Sequence, residues 1–434
     1  MHIRFRGLWL HRDFVRLWTG ETVSIFGSLV GALALQFTAV AYLDASAVQV
    51  AILAACSLVP GFVEGLVAGV LVDRLRHRPV MIAADIGRSA ALATVPVAAL
   101  FDLLTVWQLF AVALVTSGLT VFFNLAYQAH LPVLVGRDHL VEANAKLAAS
   151  AAVAETSAFS AGGWLVALLS APGAMLIDAF SFVASAAFIS RIRTSETPRR
   201  SAPPAAATAL LEEAKAGLGF TFRQPILRTL VWMAALESLA QQMIGVTYLI
   251  YLNREVGFNA GTLGLIFAVG GITSFTSSLL IDRATKWRGL GPGMGLAAAG
   301  VAAGSAGMPL ATDVSVLAVI FLVANQVVTD PSATFFQVGA ASVRQAVVPE
   351  GWLGRVGASL QFVRFGAAIA GIALAAAVTE HSGARTTLWL AVGIHAATVI
   401  VLVASPLLRV RSISELEPAP PDSEREKADP VMLS

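Results

Sequence analysis

The chain has 434 residues, of which 57% are hydrophobic and only 13% are charged. Because soluble domains carry about 25% charged residues, this composition excludes an ordinary soluble protein and indicates that lipid is the main solvent. The formal net charge of +2 gives no sign of nucleic-acid binding.

Twelve apolar stretches are long enough to cross a membrane, since a helix needs roughly 20 apolar residues to span the hydrocarbon core. We number them helices 1 to 12 in chain order. They occupy approximately residues 17–42, 49–72, 80–101, 107–128, 147–169, 173–190, 228–251, 261–281, 289–310, 314–337, 356–378 and 386–408. The sequence therefore predicts an all-α membrane protein with twelve transmembrane helices.

The stretches form two sets of six, in an N-terminal half over 1–190 and a C-terminal half over 228–408. Residues 191–227 between them begin with four arginines and end in a helix-forming segment, which predicts a cytoplasmic linker with a surface helix. Residues 409–434 are rich in Pro, Glu, Ser and Asp, a composition typical of a disordered tail. The first apolar run is too long for a cleavable signal peptide, so we expect none.

The basic residues predict the orientation. Of the 29 Lys and Arg residues, 25 lie in the termini or in loops that follow even-numbered helices. Because positive charge is retained in the cytoplasm, we expect both termini there and a multi-pass protein of the plasma (inner) membrane.

The two halves are related by a repeat. Shifting the sequence by 209 residues without a gap places Tyr42-Leu43 on Tyr251-Leu252 and Asp73-Arg74 on Asp282-Arg283. Repeats of this size in transporters place the binding site between the halves near the bilayer midplane. The pattern therefore indicates a transporter in which one half rocks against the other.

The sequence has no motif for a disulfide, a nucleotide site, a metal site or an enzyme active site. The single Cys56 allows no intramolecular disulfide, and the chain has no nucleotide-binding Gly-rich loop, no HExxH and no Cys/His ligand set. We predict no metal, no cofactor and no enzymatic activity.

The segment after helix 2 resembles the signature of the major facilitator superfamily. Its matching residues are Gly69, Asp73, Arg74, His77 and Arg78, with Arg76 in place of the second Gly. The stretches Asp85-Ile-Gly-Arg88, LPVLVGRDHLVEANAKL, LIDAFSF at 176–182 and RQAVVPEGWLGRVGAS at 344–359 resemble the bacterial drug, macrolide and siderophore exporters of that superfamily. Many proton-coupled drug exporters carry an Arg in helix 4, and this chain has none there.

The resemblance implies that helices 1, 4, 7 and 10 line a central cavity. Each of them carries polar residues at helical spacing, which stacks them along one face. The predicted substrate-cavity residues are Ser24, Ser28, Thr116, Thr120, Asn124, Gln128, Gln241, Tyr248, Asn325, Gln326 and Thr329. Hydrogen bonding within or between helices is the alternative role for any one of them.

Several carboxylates lie within the predicted spans, where a charge costs ~2.5–3.5 kcal/mol at the helix centre. We predict that they carry protons or bind a cation, in the order Glu237, Asp330, Glu155 and Glu21. A permanently neutral or hydrogen-bonded carboxyl is the alternative. Arg364 lies at a depth similar to that of Glu64, and the superfamily packs helix 11 against helix 2, so we expect these two residues to form an ion pair. Glu155 and Asp330 are rival partners for Arg364.

By resemblance, Asp73 holds the two halves together on the cytoplasmic side in the outward-facing state. The predicted cytoplasmic gate consists of Gly69, Asp73, Arg74, Arg78, Asp85 and Arg88, with Asp85 and Arg88 paired at i and i+3. For the basic loop residues, a role as topology determinants is the alternative.

These features predict a monomeric secondary transporter that works by alternating access. We expect it to export amphipathic or cationic small molecules in exchange for protons. A proton-coupled uptake symporter on the same fold is the first alternative, and a transport-silent membrane receptor is the second.

Overall fold

The computed structural model describes residues 7–71, 76–194, 217–349 and 351–416, with side chains omitted at 63–71, 137, 156, 159–160, 275 and 278–288. The long helices are α1 Arg12–Phe37, α2 Ala47–Leu71, α3 His77–Leu100, α4 Val106–Val135, α5 Leu140–Leu169, α6 Ala171–Ser190, α7 Pro225–Ile250, α8 Ala260–Arg288, α9 Leu290–Ser305, α10 Val316–Val347, α11 Leu353–Ser382 and α12 Ala384–Val403. The predicted all-helical fold is confirmed.

Within the described part of the chain, eight of these helices are long and apolar enough to cross a membrane, and α2 and α8 contain the shorter apolar segments Ala47–Phe62 and Ala260–Ser274. Side chains cap several of the helix N-termini. The Thr105 and Ser315 hydroxyls accept from the amides of Gln108 and Ala318 at the starts of α4 and α10, which satisfies N–H groups that have no partner inside the helix.

The repeat is visible in the backbone where α1 and α7 end. Both helices pass into a π turn, Thr38–Tyr42 after α1 and Tyr251–Val256 after α7. Gly257 then stops the second turn with φ 93°, a left-handed conformation that glycine adopts at low cost. Tyr42 ends the first turn, whereas Tyr251 and Leu252 begin the second, so the two turns lie at different positions of the repeat.

The bundle has two ends, which we call the terminal end and the opposite end. The terminal end carries the start of α1 and the end of α12. There, the Asp13 carboxylate accepts from the amides of Arg193 and Thr194 after α6, and the amide of Leu290 donates to Arg411 O.

At the opposite end, one apolar cluster contains residues of both halves. Its members include Phe37, Val50, Leu109, Met175, Leu249, Phe258, Leu322 and Leu388. At the terminal end, by contrast, the described residues form two separate clusters. One belongs to α1 and α3–α6, and the other to α7 and α9–α12 with their flanking turns. Among the residues whose side chains are described, an apolar cluster therefore joins the halves at the opposite end, and none joins them at the terminal end.

Beyond the apolar cluster, the described residues join the halves at three places. The Arg254 guanidinium donates to Val40 O through Nη2 at 2.6 Å and through Nε at 3.1 Å. Helices α5 and α8 cross so closely that a Cβ on Gly264 would lie 2.7 Å from the Gly163 Cα. Helices α2 and α11 pack through the stacked rings of Phe62 and Phe365, 4.3 Å apart.

The helices extend beyond the predicted spans at the terminal end, where α4 continues to Val135, α10 to Val347 and α11 begins at Leu353. The chain after α12 is ordered further than expected, because Val410 O and Arg411 O accept from the first amides of α9. Most of the predicted surface helix and residues 417–434 lie outside the described residues.

Candidate functional site

The first half encloses a cavity of about 310 Å³ between α1, α2, α3, α4 and α6. Four of the predicted cavity residues line it, namely Ser28, Thr116, Thr120 and Asn124. Ser57, Ser117 and Asp178 add polar groups, and Leu35, Leu92, Val121 and Phe182 form apolar wall. Ligand pockets typically measure about 300–1,000 Å³ and combine an apolar lining with a few polar groups, so this cavity is large enough for a small organic molecule.

Asp178 is the acidic group of that cavity. Its Oδ1 accepts from Ser28 at 3.2 Å and from Ser181 at 3.3 Å, and the residue is only 5% exposed. Gly27 and Gly31 bring α1 close to α6 at this point, because a Cβ on either would overlap Ser181 or Asp178. The sequence motif at 176–182 contained Asp178, but the residue was not predicted as a site residue. A carboxylate in an otherwise apolar span was the signal that could have found it.

Arg88 is the cation of the first half. It forms an ion pair with Asp85, and its side chain is 5% exposed while that of Asp85 is fully buried. Its Nη1 donates to Thr120 Oγ1 on α4 at 3.2 Å, and its guanidinium lies 4.0 Å from the Phe182 ring centroid. Asp178 and Glu21 are within electrostatic range of the guanidinium. Asp85 and Arg88 thus lie inside the half, beside the cavity.

The remaining predicted residues of the first half are dispersed. Ser24 is buried, whereas Gln128 and Glu155 are exposed. Glu21 is partly buried, and its Oε2 has no hydrogen-bond donor among the described residues. Glu155 therefore lies away from the cavity, and Glu21 lies on the side of the Arg88 cluster.

Glu237 occupies a second polar site, between α7, α9 and α12. Its Oε2 lies 3.7 Å from His395 Nε2, and the His395 side chain is 2% exposed. His395 Nδ1 is 3.2 Å from Ser305 Oγ on α9. Arg364 on α11 is within electrostatic range of Glu237. Neither His395 nor Ser305 was predicted from the sequence, because α9 and α12 have almost wholly apolar compositions.

The polar residues of α10 face neighbouring helices. Asn325 Nδ2 donates to Gly304 O at 3.0 Å and to Thr329 Oγ1 at 3.1 Å. Asp330 and Gln326 approach α8 at Gly270, where a Cβ would overlap both side chains.

On α7, the two other predicted cavity residues differ in exposure. Gln241 is exposed, whereas the Tyr248 hydroxyl is buried and has no hydrogen-bond partner among the described residues.

At the predicted gate, Arg78 binds the end of α6. Its Nε donates to Ile189 O at 3.1 Å and its Nη2 to Ser190 O, so the guanidinium satisfies carbonyls that a helix C-terminus leaves free. Asp73 and Arg74 lie outside the described residues, as do the surroundings of Gly69 on α2 and the side chain of Glu64. The Glu64–Arg364 pair therefore stays a prediction, although α2 and α11 pack at that place.

The fold and the two polar sites define a membrane transporter, and comparison with known proteins shows its family. Residues 9–430 match the model of the transmembrane secretion effector family. The chain belongs to this family of major facilitator superfamily transporters, which confirms the resemblance seen in the sequence motifs.

Three relatives match parts of the chain. YfiS of Bacillus subtilis strain 168, described as an MFS-type transporter, is 25% identical over 63% of this chain and 64% of its own length. Multidrug efflux pump Tap of Mycolicibacterium fortuitum is 29% identical over 55% of this chain and 60% of its own. Macrolide efflux protein A of Streptococcus pyogenes is 32% identical over 30% of this chain and 32% of its own. The matched part is thus less than two thirds of each relative.

Solved structures of low identity share the fold. The nucleoside transporter NupG superposes with a TM-score of 0.69 at 16% identity, covering 91% of this chain and 98% of its own. A bacterial homologue of the iron transporter ferroportin, in an inward-facing state, superposes with a TM-score of 0.68 at 15% identity and the same coverage.

Proposed function

We propose that the protein is a secondary active transporter that exports cationic or amphipathic small molecules in exchange for protons. In this proposal all twelve long helices span the plasma (inner) membrane, and both termini are cytoplasmic, as the distribution of basic residues favours. The names of two relatives, a macrolide efflux protein and a multidrug efflux pump, support efflux.

The cavity of the first half carries the proposal. It combines one buried carboxylate, Asp178, with hydroxyl and amide groups and with the apolar side chains of Leu35, Leu92 and Phe182. A carboxylate held by Ser28 and Ser181 provides a negative site for an ammonium group, and the apolar wall accepts the body of an amphipathic molecule. A neutral sugar could form hydrogen bonds with this site but would leave the charge of the carboxylate without a cation, so the cavity favours a cationic substrate.

The arrangement of the apolar clusters supports alternating access. The halves share a cluster at the opposite end and have separate clusters at the terminal end. With cytoplasmic termini, this arrangement is inward-facing, so that substrate enters from the cytoplasm. The proposed gate residues Gly69, Asp73, Arg74 and Arg78 then close the terminal end in the other state.

The proton-coupling role is assigned to carboxylates inside the helices. Glu237 is the first choice because it is partly buried and faces an imidazole. Asp330 is the second because it lies at the α8–α10 contact. Glu21, beside the Arg88 cluster, and Glu155 follow.

Transport into everted membrane vesicles tests this function. Acidifying the vesicle interior should drive accumulation of ethidium and radiolabelled erythromycin. Asp178→Asn should lower the apparent affinity for both cations about tenfold or more, because it removes the charge but keeps the shape. The matched control is Asp102→Asn, which changes an exposed acid in the loop after α3 and should leave affinity unchanged.

The direction of movement separates the alternatives. Accumulation in right-side-out vesicles driven by an acidic exterior would identify an uptake symporter. Proton-independent binding without accumulation in either orientation would identify a receptor and contradict the proposal.

A further inference from the structure

Three polar side chains of different helices meet inside the second half. Glu237 of α7, His395 of α12 and Ser305 of α9 form a chain of contacts. A small cavity of about 10 Å³ adjoins the carboxylate and the imidazole, lined also by Ala298, Val301, Phe336 and Thr398. His395 is 2% exposed, and its Nε2 has no hydrogen-bond partner among the described residues. A buried polar atom of this kind calls for an explanation.

The contacts of Ser305 favour one tautomer of His395, which is assigned from the hydrogen-bond network. The Ser305 hydroxyl lies 3.0 Å from Ala302 O and can donate its hydrogen there. In that arrangement its oxygen accepts from His395 at the 3.2 Å contact with Nδ1, so we assign the hydrogen to Nδ1. In a neutral imidazole one ring nitrogen is a donor and the other an acceptor. Nε2 is then the acceptor, and its lone pair faces Glu237 Oε2.

A carboxylate and a neutral imidazole cannot bond in this arrangement, because two lone pairs face each other across 3.7 Å. Adding one proton allows the two residues to form a hydrogen bond. Either Glu237 becomes a carboxylic acid that donates to Nε2, or His395 becomes an imidazolium that donates to Oε2. The two forms differ only in which residue holds the proton. The 3.7 Å between Oε2 and Nε2 exceeds the 2.7–3.2 Å of a formed hydrogen bond, so the structure shows the pair without that bond.

We propose that Glu237 and His395 together form a single proton-binding site, with the exchangeable proton held between Oε2 and Nε2. Binding takes one proton from water, and release returns it to water, with no other bond or electron changed. Ser305 is a positioning residue, since its hydroxyl holds the imidazole in the tautomer that presents an acceptor to Glu237. This inference deepens the proposed function and rests on it only for the link to transport.

Other charged groups around His395 are few. Helix α9 carries no titratable residue. The titratable and charged residues on the other helices and turns packed against α12 are Arg228, Tyr248, Arg355, Arg364, Glu380, His381 and Arg409, and α12 itself carries Arg385. Of these, Arg364 acts electrostatically on Glu237, and its charge favours the carboxylate over the carboxylic acid within the pair.

The site also links the first and last helices of its half. Glu237 and His395 connect α7 to α12 as Ser28 and Asp178 connect α1 to α6, and Glu237 lies 209 residues after Ser28, the offset that aligns the halves. In this proposal the first half uses the Asp178 carboxylate to bind a cationic substrate. The second half uses the Glu237 carboxylate and the His395 imidazole to bind a proton. Substrate and proton occupy different halves, and their exchange is coupled through the movement between them.

A titration of the complete protein in lipid nanodiscs tests the site without any transport assay. Glu Cδ and His ring nitrogens are isotope-labelled, and the His395 signal is assigned by its loss in His395→Asn. In the wild type, the Glu237 and His395 signals should both change at the midpoint of this proton uptake, because the apparent pKa of two strongly coupled groups belongs to the pair and not to either residue. Two independent midpoints would overturn the proposal.

Substitution then probes the coupling. In Glu237→Gln the proton affinity of His395 should change at least tenfold, whereas His381→Asn, which removes an exposed imidazole on α11, should leave it unchanged. Ser305→Ala should shift the common midpoint while keeping it common. An unchanged His395 titration in Glu237→Gln would show that the two groups do not interact.

Transport measurements connect the site to function. In proteoliposomes, ethidium counterflow requires no net proton movement, whereas uptake driven by a pH gradient does. His395→Gln should reduce gradient-driven uptake at least tenfold and retain counterflow within about twofold of the wild type. Gradient-driven uptake at the wild-type level would contradict the role of His395. Absence of both activities in the wild type would instead contradict the proposed function and leave the nanodisc titration to decide the inference.

Discussion

Arg88 contacts side chains of three helices in the first half. It contacts Asp85 on its own helix, Thr120 on α4 and the Phe182 ring on α6. The resemblance to drug exporters suggested a base on the fourth helix, which this chain lacks. Here the Arg88 guanidinium of α3 lies against α4 and beside the cavity. The positive charge next to α4 is therefore supplied by the third helix instead of the fourth.

Arg88→Met should strongly destabilise the protein, because Asp85 would remain buried without a counter-charge. Breaking a buried ion pair costs about 3–5 kcal/mol in soluble proteins. The matched double variant Asp85→Asn/Arg88→Met removes both charges and should recover part of the loss. Thermal unfolding followed by tryptophan fluorescence, using the eight native tryptophans, measures this. An equal loss in the single and double variants would show that Arg88 acts through packing alone.

Among individual residues, the sequence predicted Ser28, Thr116, Thr120 and Asn124 because polar side chains at helical spacing on α4 and α1 must share a face. It did not predict His395, because a single polar residue in an apolar helix has no periodicity. The rotation of α12, which places His395 opposite Glu237, depends on packing against α7 and α9. Similarly, Asn325 and Thr329 have the right spacing on α10, but that face packs against α9 rather than lining a cavity.

At the scale of helices, the crossing of α5 and α8 depends on a pair of glycines. Gly163 and Gly264 allow the two backbones to touch, as small residues do at membrane helix interfaces. The apolar runs predicted both helices, but the crossing point could not be derived from either run alone.

Gly163→Val should prevent this close approach and reduce the yield of folded protein or slow transport by about tenfold or more, since the added side chain would overlap the α8 backbone. Gly393→Val on α12 is the matched control, because no atom lies within 4 Å of a Cβ at that position. Size-exclusion profiles and ethidium transport rates measure the two effects. Normal folding and transport in Gly163→Val would show that the crossing is not tight in the membrane.

At the scale of the molecule, Arg254 connects the two halves by hydrogen bonds at the opposite end. Its two hydrogen bonds to Val40 O connect the π turn after α7 to the one after α1. The additional contact with Asp44 Oδ1 at 3.1 Å involves a carboxylate that is 90% exposed, and exposed ion pairs contribute only about 0–1 kcal/mol.

Arg254→Ala should shift the population towards the state that is open at the opposite end. Hydrogen bonds involving a charged group contribute about 1.5–3 kcal/mol, which corresponds to roughly a tenfold change or more. Labelling rates of cysteines introduced near the opposite end, in a Cys56→Ser background, report the shift. Asp44→Ala should change these rates about fivefold at most. Unchanged rates in Arg254→Ala would mean that the apolar cluster alone holds the halves together.

The shared apolar cluster at the opposite end also makes the conformational balance sensitive to temperature. Opening that end exposes side chains such as Phe37, Leu249 and Phe258 to water, and apolar exposure raises the heat capacity by about 0.45 cal/K/mol per Å². Since apolar hydration becomes less unfavourable on cooling, the population open at the opposite end should rise at low temperature, and a van't Hoff plot of the labelling equilibrium should be curved.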